Sequence, residues 1–402
     1  MKNTFQLIGL SLVLAATGCS SPKNEKVDFI ADNIDNAVKQ ETLQVELIEK
    51  SGKILNPRTI DDNTREIVYV PIDDWCSGFF PGCMWYTYEL TGDKKWEGYA
   101  RKYTEDLDSV KWLKWHHDVG FMIGSSYLNG YRIAQIPEYK DVIVEAARSL
   151  STRFRPTAGV IQSWNVDKGW QSERGWECPV IIDNMMNLEL LFEATILSGD
   201  STFWNIAVSH ANTTLANHFR DDNSCYHVID YSLKDGSVRN KHTAQGYAHE
   251  TSWARGQAWA IYGYTMCYRY TKDARYLEHA QKVYDFIFNN PNLPEDLVPY
   301  WDYNAPNIPN EPRDASSAAC TASALYELST YLPEKGYKET ADKIMESLGS
   351  PAYRAEVGTN GNFILMHSVG SIPHGHEIDV PINYADYYFL EALIRKRDLE
   401  KK

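Results

Sequence analysis

Three ten-residue segments, TGDKKWEGYA (residues 91–100), SGDSTFWNIA (residues 198–207) and TKDARYLEHA (residues 271–280), share a pattern that decides the fold. In each segment an aspartate is followed three residues later by an aromatic residue, and alanine stands four residues beyond that. Aspartate at this position caps the amino end of a helix, the aromatic ring packs back, and alanine lets two helices approach closely. A degenerate copy runs from Glu334 through Tyr337 to Ala341. The pattern therefore predicts repeated tight turns between helices.

Apolar residues recur at helical spacing along most of the chain, whereas the alternation typical of strands is scarce. We predict twelve helices, joined in pairs by the tight turns. Repeated helical hairpins stack into a solenoid or close into a toroid. Six hairpins favour closure, so we predict an all-α fold, an (α/α)6 barrel or six-hairpin toroid, with alternating inner and outer helices. The predicted helices span residues 27–50, 78–91, 94–109, 119–136, 138–155, 181–198, 201–219, 253–271, 273–290, 314–331, 335–349 and 383–397.

The composition is that of a globular protein with a large core. The chain has 402 residues, of which 43% are hydrophobic and 23% are charged, and its net charge is −14. Because it has no basic stripe, we exclude nucleic acid as a partner. The 12 tryptophans and 26 tyrosines suit a groove that stacks on carbohydrate, but they also suit a thick helical core, which is the commoner explanation.

Residues 1–19 are predicted to be a lipoprotein signal peptide. Lys2 supplies a positive charge, and the apolar stretch Phe5–Ala16 is too short to span a bilayer as a mature helix. The sequence ATGC that follows ends at Cys19, which would be lipidated and become the first mature residue. The alternative is a plain secretory signal that is cut nearby.

This interpretation divides the chain into three parts. Residues 20–26 form a short polar tether after the signal peptide, and residues 27–402 form the barrel, which is the predicted catalytic domain. The lipid on Cys19 would be the only contact with a membrane. The protein would be secreted across the inner membrane and would stay as a periplasmic or outer-membrane lipoprotein.

The remaining cysteines and histidines give no sign of a metal site. Six further cysteines show neither a CxxC pair nor the spacing of metal ligands, so we predict buried free thiols. The alternative is a disulfide, which an oxidising compartment allows but which the sequence does not assign to any pair. The motif HGHE at residues 374–377 does not have the spacing of a closed metal site, and its glycine indicates a turn. We therefore expect no metal and no cofactor.

Polar and aromatic clusters stand at the start of every even-numbered helix. Long connections, which are often functional, precede four of these helices at residues 156–180, 220–252, 291–313 and 350–382. If the even helices form the inner ring, all run the same way and the clusters converge on one mouth of the barrel. Helix amino ends and an arginine favour anions there, despite the negative net charge. The clusters contain Asp74, His117, Asp183, Gln245, Arg313 and Asn383.

Two aspartates are candidates for chemistry at this mouth. Asp183 interrupts IIDNMMNLELL (residues 181–191), which otherwise resembles the start of an apolar helix. A carboxylate among apolar neighbours is unfavourable unless it is partnered or protonated, so Asp183 is either a helix cap or a tuned acid. Asp118 has the same two interpretations. The presence of both acids at one mouth, beside histidine and tryptophan, favours chemistry.

The other candidates each have a structural alternative. His117 and His227 are, taken singly, typical of hydrogen-bonded structural histidines, and Trp75, Trp253 and Trp259 are typical of core residues. Arg255 can serve as a tie between helices.

At these residues the sequence resembles glycoside hydrolase family 88, the unsaturated glucuronyl hydrolases. The matching motifs are HDVGF (residues 117–121), IDNMMNL (residues 182–188), QGY (residues 245–247) with WARGQAW (residues 253–259), and NYADYY (residues 383–388). They extend over roughly residues 75–395. The resemblance implies the (α/α)6 barrel inferred above. It also implies a substrate, namely oligosaccharides left by polysaccharide lyases with a 4,5-unsaturated uronic acid at the non-reducing end.

The resemblance also implies roles for individual residues. Asp183 matches the family's general acid and base, and Asp118 matches its essential partner carboxylate. Trp75 matches a stacking position, although Phe80 stands where the family pattern has tryptophan. The positions that contact substrate in the family are matched by His117, His227, Gln245, Trp253, Arg255 and Trp259.

The implied reaction is hydration of the C4=C5 double bond. Protonated Asp183 would give its proton to C4, and water would add at C5 while the Asp183 carboxylate takes a proton from it. The hemiketal product would then rearrange and expel the remaining sugar. A nearby arginine would oppose protonation, so we expect Arg255 to face the substrate instead of Asp183.

Two other functions remain open at this stage. An unsaturated rhamnogalacturonyl hydrolase would perform the same chemistry on pectic fragments, whereas we favour fragments of glycosaminoglycans. The discriminating subsite is expected within residues 350–382, where Ser368, Ser371 and His374 would meet a sulfate or a hydroxyl group. A non-catalytic surface glycan-binding lipoprotein would explain the signal peptide and the aromatic residues, but it would not explain two acids at one mouth.

Overall fold

A computed structural model describes residues 28–401. The predicted signal peptide, with Cys19, and the polar tether lie outside the described residues. All twelve predicted helices are present. One of them is divided by a π-helical turn, Gly124–Leu128, and a further short helix lies in a connection. The helices are α1 (Phe29–Lys50), α2 (Phe79–Thr91), α3 (Lys94–Glu105), α4 (Val119–Ile123), α5 (Asn129–Ala134), α6 (Tyr139–Ser151), α7 (Gly169–Ser172), α8 (Leu188–Ser198), α9 (Ser201–Asn217), α10 (Ala254–Thr271), α11 (Ala274–Phe288), α12 (Ala315–Tyr331), α13 (Tyr337–Leu348) and α14 (Asn383–Glu400).

Six of these elements form an inner ring, namely α2, α4 with α5, α8, α10, α12 and α14. Neighbouring inner helices pack on one another, and α14 packs against α2, which closes the ring. Every residue from 315 to 326 of inner helix α12 is buried, whereas outer helix α13 buries only one side, including Ala341 and Ile344. This difference is what an inner and an outer layer require. The predicted (α/α)6 barrel is therefore confirmed.

The repeated turns have the predicted construction. Asp93, Asp200 and Asp273 each accept a hydrogen bond from the backbone N–H two residues later, which caps α3, α9 and α11. The aromatic residue and the alanine of each repeat are buried; they are Trp96, Ala100, Phe203, Ala207, Tyr276 and Ala280. The degenerate copy has Gly336 at the cap position and no side-chain cap, but its Tyr337 and Ala341 are buried in the same way.

Within residues 28–401, nine short strands lie in the connections between the helices, and none of them was predicted. They have only two to five residues, and several are buried throughout, so they lack the alternation by which strands are recognised. The strands are β1 (Asn56–Ile60), β2 (Ile67–Val70), β3 (Phe154–Arg155), β4 (Val160–Ile161), β5 (Cys178–Ile181), β6 (Val228–Tyr231), β7 (Val238–His242), β8 (Ser368–Ser371) and β9 (His376–Val380). All pairings are antiparallel, in the orders β1-β2, β3-β4, β5-β6-β7 and β8-β9.

The helix predicted from residue 181 begins differently. Residues 182–187 form a 3-10 turn, and the α-helix starts at Leu188. The backbone before the turn is held in β5, and the Ile182 N–H donates to the His227 carbonyl at 3.1 Å. Two side chains of the turn also bond outside it, since Asn184 donates to the Ile161 carbonyl and Asn187 accepts from the Phe121 N–H. These ties favour the tighter winding.

Among the residues that the structure describes, the six predicted free thiols are confirmed as buried and unpaired; they are Cys76, Cys83, Cys178, Cys225, Cys267 and Cys320. Between residues 28 and 401, no helix combines the length and the apolar character needed to cross a bilayer.

Candidate active site

A cavity of about 270 Å³ opens at the mouth where the inner helices begin. Five of the nine predicted site residues line it, namely Trp75, Asp118, Asp183, Gln245 and Arg255. The other four, His117, His227, Trp253 and Trp259, are buried behind its wall. The convergence expected from the even-numbered helices is therefore present. The cavity is also lined by Arg58, Trp164, Trp170, Ile181, Ala244, Ser371, His374 and His376.

Asp183 is a buried acid without a partner for one of its oxygens. The residue is 8% exposed, and its Oδ2 accepts no hydrogen bond from any group in the described part of the chain. Burial raises the pKa of Asp183 to about 7, with a further contribution from the negative charge of Asp118, while Arg255 acts in the opposite direction. A substantial fraction of this carboxyl is therefore protonated at neutral pH.

Asp118, at the amino end of α4, has the opposite character. Its two oxygens lie 3.2 Å from His117 Nε2 and 3.3 Å from His116 Nδ1. Burial acts to raise the pKa of Asp118, but the two histidines together lower it below the ordinary value. The mouth thus holds one carboxyl that can carry a proton and one that stays ionised, the arrangement that separates an acid from an electrostatic partner.

Asn187 determines which nitrogen of His117 carries the hydrogen. The Asn187 Oδ1 accepts from the Phe121 N–H at 2.8 Å, so its amide nitrogen faces His117 Nδ1 at 3.3 Å. An amide nitrogen only donates, so Nδ1 must accept and the ring hydrogen sits on Nε2, toward Asp118. Burial lowers the pKa of His117 to about 4, so the ring is neutral at neutral pH.

His227 is arranged in the same way beneath Asp183. Its Nδ1 accepts the backbone N–H groups of Ala244 at 3.0 Å and Gln245 at 3.2 Å. The ring hydrogen therefore sits on Nε2, which lies 3.7 Å from Asp183 Oδ2. Burial, followed by the charge of Arg255, lowers the pKa of His227 well below its ordinary value. A neutral ring beside Asp183 does not favour its ionised form as a cation would.

Arg255 does not behave as the sequence led us to expect. It lines the cavity, but its guanidinium donates to Asp314 and to the carbonyls of Val369 and Gly370. Its charge also reaches Asp183 and acts to lower the pKa of that acid. The expectation that Arg255 faces the substrate instead of Asp183 was wrong, because its charge acts on Asp183 and its donors are directed to Asp314 and to two carbonyls of β8. Burial of Asp183 outweighs this charge.

Trp253 and Trp259 support the wall and are not part of its surface. The Trp253 ring lies 4.6 Å from the ring of His227 and 4.4 Å from the guanidinium carbon of Arg255. Trp259 is fully buried, and its indole N–H acts to lower the pKa of Asp183. The structure therefore places both tryptophans, which were predicted to contact substrate, behind the groups that line the cavity.

Several residues of the cavity were not identified from the sequence. Trp164 and Trp170 belong to the long connection at residues 156–180, but no motif in the sequence singled them out. Arg58 donates to both oxygens of Glu377 and to Asp74. Because Arg58 and Glu377 are separated by 319 residues, nothing local in the sequence indicated this pair.

The β8–β9 hairpin forms one side of the cavity. The Gln245 amide donates to the Gly370 carbonyl at 3.4 Å, and Ser371 Oγ lies 2.6 Å from His374 Nδ1. The His374 ring packs against Trp170 at 5.2 Å. Aromatic faces, hydroxyl groups and imidazoles on this side suit a sugar that has stacking faces and polar edges.

Comparison with known proteins identifies a family and several relatives of this chain. The profile of the family described as Glycosyl Hydrolase Family 88 matches residues 53–397. An unsaturated glucuronyl hydrolase from Formosa agariphila is 49% identical over 347 residues, which cover 85% of this chain and 85% of that protein. An unsaturated chondroitin disaccharide hydrolase from Streptococcus agalactiae is 32% identical over 377 residues, which cover 91% of each. The crystal structure of an unsaturated glucuronyl hydrolase specific for heparin matches with a TM-score of 0.88 at 42% identity, covering 93% of this chain and 98% of that one.

Proposed function

The chain belongs to glycoside hydrolase family 88, and on that basis we propose that it removes a 4,5-unsaturated glucuronic acid from the non-reducing end of lyase-generated oligosaccharides. The observation that carries this proposal is Asp183, a buried carboxyl whose pKa is raised to about 7 inside a cavity with aromatic walls. An acid with this pKa can give a proton and take one back near neutral pH. The enzyme is accordingly a glycosidase that acts by hydrating a double bond.

The reaction uses Asp183 twice. The protonated carboxyl donates its proton to C4 of the unsaturated sugar, and positive charge develops at C5 and on the ring oxygen. Water then adds at C5, and the Asp183 carboxylate takes a proton from that water. The hemiketal that results rearranges and releases the remaining sugar. This is different from ordinary glycoside hydrolysis, in which two carboxyl groups flank the glycosidic bond.

Asp118 assists without exchanging a proton. Its ionised carboxylate raises the pKa of Asp183 before the reaction and, as a fixed negative charge, stabilises the positive charge that develops on the sugar ring. The Nε2–H groups of His117 and His227 lie 3.2 Å from Asp118 and 3.7 Å from Asp183, and because both rings are neutral they place no full positive charge beside either carboxyl. Asp183 can therefore carry a proton at neutral pH while Asp118 stays ionised.

The substrates we propose are fragments of glycosaminoglycans. The relatives that support this class include one that acts on unsaturated chondroitin disaccharides and one that is specific for heparin. In this chain the second sugar would lie against the β8–β9 hairpin, near Ser371 and His374. Pectic fragments with the same unsaturated uronic acid are the competing substrates.

The test is a panel of lyase-made unsaturated disaccharides, sulfated and unsulfated, together with pectic ones. Turnover destroys the C4=C5 double bond, so it is followed as loss of ultraviolet absorbance. The Asp183→Asn variant is expected to bind substrate but to lose about 10²–10⁴-fold in kcat. No absorbance loss with any substrate would contradict the reaction, and unchanged turnover in the variant would contradict the role of Asp183. Pectic substrates cleaved in preference would contradict the substrate class.

We also propose that Cys19 is lipidated and that the protein is a periplasmic or outer-membrane lipoprotein. The apolar stretch and the ATGC sequence that ends at Cys19 support this proposal. Membrane fractions of cells that express the full chain should contain the protein, and Cys19→Ala should remove it from them. A mature amino terminus that lacks lipid and begins at another residue would contradict the anchor.

A further inference from the structure

We propose that a groove beside the active-site cavity, lined by Trp112 and Trp115, binds the sugar units of oligosaccharides longer than a disaccharide. This inference rests on the proposed function, because the same carbohydrate chain would occupy the cavity and the groove. We call this surface the tryptophan groove. It is lined by Trp112, Trp115, Asp73, Ser109, Lys114 and Asn165, together with apolar neighbours.

The exposure of the two tryptophans is the first observation. Trp112 is 55% exposed and Trp115 is 53% exposed, and they are the two exposed tryptophans of the part of the chain that the structure describes. Both rings line the same groove, and exposed apolar surface gathered in one place is typical of a binding surface. Tryptophan offers a broad flat face, which suits the apolar face of a pyranose ring.

The surroundings of these rings are polar in the way that a sugar requires. The groove has a volume of about 670 Å³, and its sides carry a carboxylate, a hydroxyl, an ammonium and an amide, at Asp73, Ser109, Lys114 and Asn165. Sugars present hydroxyl groups at their edges and C–H groups on their faces. A groove with flat aromatic rings and hydrogen-bonding groups around them therefore fits carbohydrate better than the apolar face of another protein.

His116 contacts residues that line the active-site cavity and residues that line the groove. His116 lies within 3.3 Å of Asp118 on the cavity side, and its ring packs at 4.1 Å against Trp115 on the groove side. The His116 Nε2 is also 3.4 Å from the carbonyl oxygen of Asp73, which is another residue of the groove. The segments on the two sides are also continuous, since Trp164 lines the cavity and Asn165 lines the groove.

Buried contacts hold the groove in one shape. The Arg153 side chain is 2% exposed and donates to the Lys114 carbonyl at 2.7 Å and to Asn165 Oδ1 at 3.1 Å. On the other side, Lys111 Nζ lies 4.3 Å from the centre of the Trp112 ring. A surface that is already ordered loses little conformational entropy when a ligand binds.

The experiment compares chain lengths. The ratio of kcat/KM for an unsaturated hexasaccharide to kcat/KM for the disaccharide is measured in the wild type, in Trp112→Ala and in the double variant with Trp115→Ala. Loss of two stacking contacts should lower this ratio about 10-fold in the double variant and less in the single one. The control is Ile196→Ala, which removes an exposed apolar side chain near the carboxyl end of α8, at the other end of the barrel.

Two outcomes would overturn the proposal. One is a ratio that stays within about twofold of the wild-type value in the double variant. The other is a wild-type dimer that the double variant turns into a monomer with the ratio unchanged, since the groove would then be an interface between copies of the chain.

A binding measurement distinguishes a failure of this inference from a failure of the proposed function. A saturated hexasaccharide of the same polymer cannot be turned over, and its affinity is measured by calorimetry for the wild type and the double variant. Weaker binding by the variant supports the groove even if no unsaturated substrate is hydrolysed. Equal affinity overturns it even if the disaccharide is a good substrate.

Discussion

Replacing Asp183 by asparagine is expected to stabilise the folded protein at neutral and alkaline pH. The carboxyl is buried, and burial is the largest cause that raises its pKa from 3.8 to about 7. In the unfolded chain the same group ionises near its ordinary pKa, where water solvates the charge. Asparagine has nearly the same shape and carries no charge, so it removes the unfavourable ionisation while keeping the packing around residue 183.

The size of the effect follows from linkage. Because the pKa of Asp183 is raised on folding, the folded protein binds this proton more tightly than the unfolded chain does. The stability that the proton confers is complete below pH 3.8 and is lost as pH rises to about 7. The two pKa values differ by about 3 pH units, so at roughly 1.4 kcal/mol for each unit the free energy of unfolding should differ by up to about 4 kcal/mol at pH 8.

The assay is urea denaturation of the wild type and Asp183→Asn at several pH values from 4 to 8. The pKa of Asp386 is also raised to about 7 by burial, but this residue is present in both proteins and cancels in the difference. The two free energies of unfolding should be close at pH 4 and should diverge as pH rises, with the variant more stable. A difference that does not depend on pH, or a variant that is less stable at pH 8, would refute the reasoning.

Three further substitutions test the groups around the acid. Asn187→Asp places a group that only accepts hydrogen bonds beside His117 Nδ1, so the ring hydrogen should move from Nε2, which faces Asp118, to Nδ1. We expect a kcat that is at least 10-fold lower and a changed histidine tautomer in the ¹⁵N NMR spectrum. Arg255→Lys cannot reach two backbone carbonyls of the β8–β9 hairpin and a carboxylate together, so KM should rise and the free energy of unfolding should fall by about 1–3 kcal/mol. Trp259→Phe removes an N–H that lowers the pKa of the general acid, so the alkaline limb of the pH–rate profile should move to higher pH.

The ring of helices was predictable because its signals are local and repeated. Three of the four repeated turns carry their own cap, so Asp93, Asp200 and Asp273 show in the sequence where a helix begins. Apolar spacing then gives the helices between the turns. Numbering the helices along the chain assigns the even-numbered ones to the inner ring. Because these helices all run the same way, their amino ends, with Asp118 and Asp183, meet at one mouth.

What could not be predicted depends on contacts between distant parts of the chain. Arg58 enters the cavity only because Glu377 and Asp74 hold it there, and no spacing in the sequence connects these residues. Several of the short strands, such as β5, β6 and β8, are buried on both faces and so lack a recognisable period. The carbonyls of Val369 and Gly370 that take donors of Arg255 belong to one of them, β8, which is why the surroundings of that side chain were not predicted.

The division of labour between the two acids is set by the two residues that precede each of them. His116 and His117 stand before Asp118, and both place a ring nitrogen near its oxygens, which keeps it ionised. Ile181 and Ile182 stand before Asp183 and offer no hydrogen-bonding side chain, so one of its oxygens is left without a partner. Both acids are at the same mouth and both are buried, so burial alone does not distinguish them. The side chains next to each carboxyl therefore decide which of the two holds the proton, and they belong to the residues that directly precede each aspartate in the sequence.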